Sequence, residues 1–200
     1  MKSIGERITL REDKNKSTVV IYPEKKALLT ALIGAWVAMW WVIGGVMTWS
    51  FFEFDLTRQE KLIIVIFMVF WAYYAYRVTK QFFWTLWGNE YLKMDQLGLT
   101  IKKSIKGYGK ANIYFYENIS EFKWEVPKER SIQASWEASP WVGGGQRLDF
   151  EYYKKKIRFG EKLSEKDARK LFQFMTHEMD RFIKESRRQE KKQRQAEINK

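Results

Sequence analysis

The chain has 200 residues and a formal net charge of +12 at pH 7, with 46% hydrophobic and 30% charged residues. It contains no cysteine, which excludes disulfides, a catalytic thiolate and cysteine-ligated zinc, and which fits a reducing compartment. The excess of positive charge favours an anionic partner, either a phospholipid surface or a nucleic acid.

Residues 1–26 form the first segment, in which apolar and polar side chains alternate. Ile8 and Leu10 belong to one alternating run, residues 18–22 belong to a second, and residues 13–16 lie between them as a turn. A period of two residues is typical of a half-buried strand, so the segment predicts a β-hairpin that packs against a later domain or adds to its sheet. The alternative is a disordered basic leader.

Residues 27–52 contain no charged side chain. As a helix these 26 residues reach about 39 Å, which exceeds the roughly 30 Å of the hydrocarbon core of a membrane. A core helix of a soluble protein keeps a polar face and the apolar part of a signal peptide is shorter, so the run predicts a transmembrane helix. Gly34 and Ala38 are candidate contacts with a partner, because small side chains let two helices approach closely.

A second apolar run covers residues 62–76, and its 15 residues are few for a membrane crossing. Extended to residue 79, with the side chain of Arg77 reaching the headgroups, the helix measures about 27 Å. The aromatic residues that follow are typical of a membrane–water interface: Phe82, Phe83, Trp84 and Trp87. We therefore predict a transmembrane hairpin over residues 27–87, with spans at about 27–52 and 62–79, and with Arg77 and Lys80 as lipid-headgroup contacts.

The charges that flank the two spans predict their orientation. Seven basic residues precede the first span, two lie in the connecting segment 53–61, and 27 follow the second apolar run. Because basic residues concentrate on the cytoplasmic side of membrane proteins, both termini are predicted to be cytoplasmic and the connecting segment external.

From residue 88 the pattern changes to the alternation that is typical of half-buried strands. Leu97, Leu99 and Ile101 alternate with polar residues, residues 106–110 form a turn with two glycines, and strand-like residues continue to position 124. Residues 131–146 predict a loop that carries Trp136 and Trp141, and we take these as candidate partner contacts because an idle linker would rarely keep two tryptophans. Two further strands are predicted at residues 147–153 and 155–159.

A helix is predicted to begin at Ser164, because Asp167 stands three residues later as in an acidic capping pair. Apolar residues recur every three or four positions as far as Ile183, so one face of this helix packs on the strands. Residues 184–200 hold seven basic residues and three acids and are either a frayed helix extension or disordered. The lipid-headgroup candidates in this tail are Arg187, Arg188, Lys191 and Lys192.

Three stretches of the chain resemble the bacterial PH-like domains of small two-span membrane proteins: residues 90–101 (EYLKMDQLGLTI), 116–122 (YENISEF) and 156–164 (KIRFGEKLS). The resemblance covers about residues 90–183, with the membrane hairpin in its usual place before them, and residues 126–146 depart from the compact family pattern. It implies a strongly bent antiparallel sheet or barrel closed by the C-terminal helix, and a place in the bacterial inner (cytoplasmic) membrane. The predicted fold class is therefore α+β: a transmembrane hairpin plus a cytosolic PH-like antiparallel β domain at residues 88–183.

The sequence offers few candidates for a catalytic or metal-binding motif. His177 is the only histidine, and no second ligand stands four residues from it as in a zinc helix. The glycines at positions 107, 109 and 143–145 lack the strand-to-helix context of a phosphate-binding loop, and the two spans lack the acidic, lysine or histidine residues of an ion path. We therefore predict no enzyme activity, no metal and no cofactor.

Three functions remain open. The favoured one is a non-catalytic adaptor or accessory subunit, in which the bilayer-embedded hairpin presents the PH-like domain at the cytosolic face to another membrane protein or to a second copy of this chain. The alternative is a sensor of anionic lipid that uses the basic surface. A third function is recruitment of RNA or a ribosome by the basic tail, and nucleic acid is the least favoured partner because a run of charge is usually a solvated face.

Overall fold

The computed structural model describes residues 2–24, 26–125 and 145–198. These residues form three α-helices and two antiparallel sheets, which confirms the predicted α+β class. They divide into two compact units. We call residues 26–86 the helical unit, and we call residues 2–24, 87–125 and 145–198 the β unit.

The elements follow one another in a simple order. The helices are α1 (Ala27–Glu53), α2 (Arg58–Trp87) and α3 (Glu165–Ile198). The strands are β1 (Lys2–Ser3), β2 (Ile8–Asp13), β3 (Lys16–Ile21), β4 (Gly88–Asp95), β5 (Leu99–Ile105), β6 (Ala111–Tyr114), β7 (Ile119–Trp124), β8 (Gln146–Tyr152) and β9 (Lys155–Glu161).

In the helical unit, α1 and α2 pack against each other as an antiparallel pair. Gly34 near the start of α1 faces Phe82 near the end of α2, and Gly44 further along α1 faces the ring of Trp71. The indole N–H of Trp71 also donates a hydrogen bond to the carbonyl oxygen of Trp40 at 3.0 Å. A Cβ at Gly44 would overlap the Trp71 ring, so glycine is what lets the helices meet at this position.

Both helices of this unit are long and apolar enough to span a membrane, as their sequences predict. Only 17% and 11% of the residues in their most apolar windows are buried within the structure. Most of their apolar side chains therefore face outward, which is unlike the core helix of a soluble protein. A capping box starts α2, because the N–H of Thr57 donates to Glu60 Oε2 at 2.8 Å and the N–H of Glu60 donates to Thr57 Oγ1 at 3.3 Å.

The larger sheet of the β unit has six strands in the order β1–β2–β3–β4–β5–β6. β3 and β4 pair along their length, from Lys16 opposite Asp95 to Ile21 opposite Glu90. The helical unit is therefore inserted in the chain between two neighbouring strands of one sheet. The N-terminal hairpin of β2 and β3 belongs to this sheet, and its Ile8 is fully buried.

The second sheet has the order β7–β8–β9, and α3 packs with both sheets around one hydrophobic core. The helix begins where the sequence predicts, because the N–H of Asp167 donates to Ser164 Oγ at 3.1 Å. It remains helical through the basic segment as far as Ile198. The core residues are Ile8, Leu10, Val19, Ile21, Leu92, Met94, Leu99, Ile101, Leu148, Phe150, Phe159, Leu163, Ala168, Leu171, Met175, Met179 and Phe182.

Two local features differ from the strand pattern of the sequence. Leu97, expected in a strand, lies in the β4–β5 turn and is 70% exposed. The reason is an Asx turn, in which Asp95 Oδ1 accepts hydrogen bonds from the N–H groups of Leu97 and Gly98 at 3.0 and 3.2 Å. The apolar run that follows β6 is interrupted by a 3₁₀ turn at Tyr116–Asn118, after which the chain enters the second sheet.

Candidate functional site

The two ends of β4 define two regions of the β unit. At one end Gly88 follows directly on the last residue of α2 and pairs with Ile105, and Ile21 lies two positions away opposite Glu90. We call this the tether end, because both chain connections to the helical unit leave from it. The opposite end, where Lys16 pairs with Asp95, is the far end. The eight residues of β4 separate the two ends by about 23 Å.

Arg7 connects several segments at the tether end. Its Nε donates to the carbonyl oxygen of Tyr22 at 3.0 Å, its Nη1 to that of Lys162 at 2.9 Å and its Nη2 to that of Glu161 at 2.9 Å. Burial lowers the pKa of Arg7, and the carboxylate of Glu24 opposes this effect. The guanidinium therefore uses its donors on backbone carbonyls, and its role is to hold the end of β9 against the residue that follows β3.

Glu90 is a second buried group at the tether end. It is 2% exposed, and its Oε2 accepts a hydrogen bond from the N–H of Gly160 at 2.6 Å. Its Oε1 lies 3.5 Å from Lys103 Nζ, on the neighbouring strand. This carboxylate therefore joins β4 of the larger sheet to β9 of the smaller one.

The β5–β6 turn lies beside Glu90 at the tether end, and we call residues 102–110 the basic turn. Lys106 and Gly107 have φ values of 50° and 89°, and the N–H groups of Ile105 and Tyr108 donate to each other's carbonyl oxygen at 2.9 and 3.0 Å. Positive φ at both central residues defines a type I′ turn, for which asparagine or glycine is usual at the first position. Here a lysine occupies it.

Two lysines of the basic turn have contacts within the turn region. Lys102 Nζ donates to the carbonyl oxygen of Gly107 at 2.8 Å, and Lys106 Nζ lies 3.8 Å from the centroid of the Trp87 ring. Tyr108 is 83% exposed. The result is a cationic and aromatic surface at the point where α2 ends.

A buried polar cluster lies at the far end. The hydroxyl of Ser17 donates to the carboxylate of Glu178, and Arg181 Nη2 lies 2.8 Å from Glu178 Oε2. Both Ser17 and Glu178 are buried. Burial raises the pKa of Tyr116, and the carboxylate of Asp95 raises it further, so the phenol is neutral at physiological pH. The cluster joins α3 to the start of β3.

A cleft of about 390 Å³ opens at the far end. Two of its apolar side chains are well exposed, Leu97 at 70% and Phe115 at 50%. The residues that line it are Gln96, Leu97, Phe115, Tyr116, Glu117, Asn118, Ile183, Ser186 and Arg187. The cleft thus combines a concave shape with exposed apolar groups.

The direction of α3 decides where the basic tail residues lie. Asp167, in the first turn of α3, lies against Gly5 and close to the positively charged Arg7 at the tether end. Glu178, further along the helix, accepts a hydrogen bond from Ser17 at the far end. From Asp167 to Glu178 the helix rises by about 16 Å, and from Ser17 to Tyr22 the strand covers about the same distance. The two lengths match, so α3 runs along β3 from the tether end towards the far end. Arg187 accordingly lines the cleft, and Arg188 and Lys191 come further along the helix. The side chain of Lys192 lies outside the described residues.

The candidate residues of the helical unit have separate positions. Gly34 is used within the hairpin, where it faces Phe82, whereas Ala38 is exposed on α1. Arg77 Nη1 donates to the hydroxyl of Tyr73 at 3.0 Å. Lys80 Nζ lies 5.9 Å from the centroid of the Tyr76 ring. Both cations are thus held against aromatic rings of their own helix.

Trp136 and Trp141 lie outside the described residues. The described ends of their segment are fixed by backbone hydrogen bonds. The N–H of Glu125 donates to the carbonyl oxygen of Arg147, and the N–H of Lys162 donates to that of Gly145, both at 2.9 Å. Since Arg7 holds Lys162 at the tether end, Gly145 lies near that end.

Among the described residues there is no group of three or more histidine, aspartate or glutamate side chains that could hold a metal ion. Comparison of the chain with protein-family models, with curated proteins and with solved structures finds no match.

Sequence reasoning missed three residues that the tether end brings together: Arg7, Glu90 and Lys106. The roles of Arg7 and Glu90 carry no local signal, because both depend on contacts with β9, about 150 and 70 positions away in the chain respectively. Lys106 had a signal, since residues 96–116 contain four lysines and no acid. The glycine pattern predicts only a turn here, whereas the net charge of the stretch indicates a basic surface.

Proposed function

We propose that this chain is a non-catalytic protein of the bacterial inner membrane, in which the hairpin of α1 and α2 anchors a PH-like β domain at the cytoplasmic face. The domain acts as an adaptor or accessory subunit that binds another membrane protein. The observation that carries the proposal is the position of the helical unit in the chain, between β3 and β4. Five residues connect β3 to α1, and none separates α2 from β4.

This double connection supports the anchoring role. A domain on one flexible linker samples a large volume, whereas a domain attached at two neighbouring strands is confined close to its anchor. The outward-facing apolar side chains of α1 and α2 support a bilayer around the anchor. The charge asymmetry of the sequence supports cytoplasmic termini.

The arrangement of the β unit supports the resemblance to PH-like domains. β4–β6 and β7–β9, which lie within the range of the resemblance, contribute six antiparallel strands in two sheets, and a C-terminal helix packs on their common core. A sheet closed by its last helix is what the resemblance implies. The strands β1, β2 and β3 are additions at one edge of that arrangement.

The cleft at the far end supports an adaptor role. The length of β4, about 23 Å, separates the cleft from the tether end. The side chains of Leu97 and Phe115 are exposed in it. Exposed apolar groups in a concave surface are typical of an interaction site. The cleft is therefore the proposed binding surface for the partner.

Photo-crosslinking in native membranes tests the proposal. With a photoreactive amino acid at Leu97 or Phe115, we expect one defined membrane protein to be crosslinked, and we expect none at Tyr153, which is equally exposed on the β8–β9 turn. The double change Leu97→Ser and Phe115→Ser should abolish co-purification of that partner. Changing Trp136 and Trp141 to alanine tests residues 131–146 as a second partner-binding surface, and loss of the co-purified partner would identify it as one.

The proposal is wrong if no position gives a defined partner, or if the Tyr153 control gives the same products as the cleft. Carbonate extraction tests the anchor separately. A chain released from membranes by alkaline carbonate is not integral to them.

A further inference from the structure

We propose that the basic turn binds the anionic headgroups of the membrane that anchors the chain. This inference rests on the proposed function in one respect, namely that α1 and α2 lie in a bilayer. It names a lipid contact on the β unit itself, in addition to the partner cleft at the far end. The residues that make the contact are Lys102, Lys106, Lys110 and Tyr108.

The position of the turn follows from the strand register. Ile105 pairs with Gly88, the first residue after α2, and Lys106 Nζ contacts the ring of Trp87. α2 continues for eight residues beyond Thr79, where the span is predicted to end, which places Trp87 about 12 Å of helix further along. The headgroup layer takes up roughly 5–7 Å of this length, so Trp87 follows it by about one turn of helix. The turn is therefore within reach of lipid headgroups.

The charge of the turn is available for a ligand. Within the described part of the chain, Lys102, Lys106 and Lys110 take part in no ion pair, whereas Lys103 is neutralised by Glu90. The exposed ring of Tyr108 accompanies them. Lysines beside an exposed tyrosine are the combination found at the surface of anionic leaflets, because the amines meet phosphate while the ring inserts among the headgroups.

The basic tail is a poorer candidate for the lipid contact, because it lies far from the tether end. Arg187 stands 20 residues after Asp167, about 30 Å along α3 and on the side of the far end. The tail is therefore separated from the chain connections to α1 and α2 by most of the length of α3, whereas the basic turn adjoins one of these connections.

Hydrogen–deuterium exchange on the full chain in nanodiscs tests the proposal. In discs of phosphatidylcholine with added phosphatidylglycerol, amide exchange in peptides that cover the basic turn should be at least fivefold slower than in phosphatidylcholine alone, and high salt should remove the difference. A lysine close to an anionic surface contributes about a fivefold gain in binding. The double change Lys106→Asn and Lys110→Gln should therefore weaken the association about 25-fold and abolish the protection.

Neither variant is expected to unfold the β unit, so a change in amide exchange reports on lipid contact. Asparagine before Gly107 is the preferred pair of a type I′ turn, so Lys106→Asn keeps the hairpin. The matched control, Arg187→Gln with Lys191→Gln, removes the same charge from α3 and should leave the protection unchanged.

Three results overturn the proposal: equal exchange in both kinds of disc, loss of protection in the control variant but not in the turn variant, or protection by inorganic phosphate in phosphatidylcholine discs. A chain that does not incorporate into nanodiscs at all contradicts the membrane anchor instead. The two failures are therefore distinguishable.

Discussion

The insertion of the helical unit between two paired strands leads to a sharp prediction about which part of the chain folds alone. Residues 88–200, with the first three strands and the helices removed, should not form a stable domain. A joined chain, in which Asn-Gly replaces residues 23–88, should fold as a soluble protein. Tyr22 and Asn89 then flank a two-residue turn in the register that Ile21 and Glu90 already have.

The magnitude follows from burial. Truncation removes four side chains that are at most 4% exposed: Ile8, Leu10, Val19 and Ile21. Full burial of such a side chain contributes about 1.5–3 kcal/mol, so their loss costs about 6–12 kcal/mol. The whole free energy of unfolding of a domain is about 5–15 kcal/mol. The truncated chain therefore has little or no stability left, and β4 loses its neighbour.

Urea unfolding followed by circular dichroism measures both chains. We expect a cooperative transition for the joined chain and a sloping baseline without a midpoint for the truncated one. Equal midpoints for the two chains would refute the reasoning, because the N-terminal hairpin would then contribute nothing to the core. An insoluble joined chain would show that the β unit needs the helices themselves.

Three further predictions follow. Gly44→Leu should lower the thermal stability of the chain in detergent, measured by loss of the monomer peak in size-exclusion chromatography, whereas Gly45→Leu should not, because a Cβ meets nothing within 4 Å at that position. Because the chain has no cysteine of its own, a membrane-impermeant thiol reagent should label Asp55→Cys in intact cells and Lys155→Cys only after permeabilisation, and the reverse pattern would contradict the proposed topology. Burial raises the pKa of Tyr116 above its ordinary value of 10.0, so the folded state keeps a proton that the unfolded chain releases. The free energy of unfolding should thus be unaffected by this group below pH 10 and fall above it, with a shallower fall in Tyr116→Phe by urea titration at each pH.

The features that could be predicted from the sequence are those with a local signal. Charge-free runs predicted α1 and the apolar part of α2, and the Ser164–Asp167 pair predicted the start of α3. Alternation predicted β8 and β9 nearly to their ends. Each of these patterns is complete within about one element, so the neighbours in space are also neighbours in sequence.

The remaining features depend on pairs of residues that are distant in the sequence. The pairing of β3 with β4 joins Ile21 to Glu90, 69 positions apart, and no short pattern encodes that register. The same holds for Arg7, whose partners lie in β9 and after it. Leu97 was misplaced because the side chain of Asp95 competes for the backbone, which hydrophobic alternation does not reveal.

The pairing of β3 with β4 also constrains the order of folding steps during synthesis of the chain. β3 leaves the ribosome long before its partner, and a free loop of this length would make their meeting entropically costly. The antiparallel helix pair removes that cost once it has assembled in a bilayer, because it brings its two ends together. In the proposed topology, membrane insertion is then a folding step of the β unit, and a chain that fails to insert leaves an unpaired strand edge for proteases to recognise.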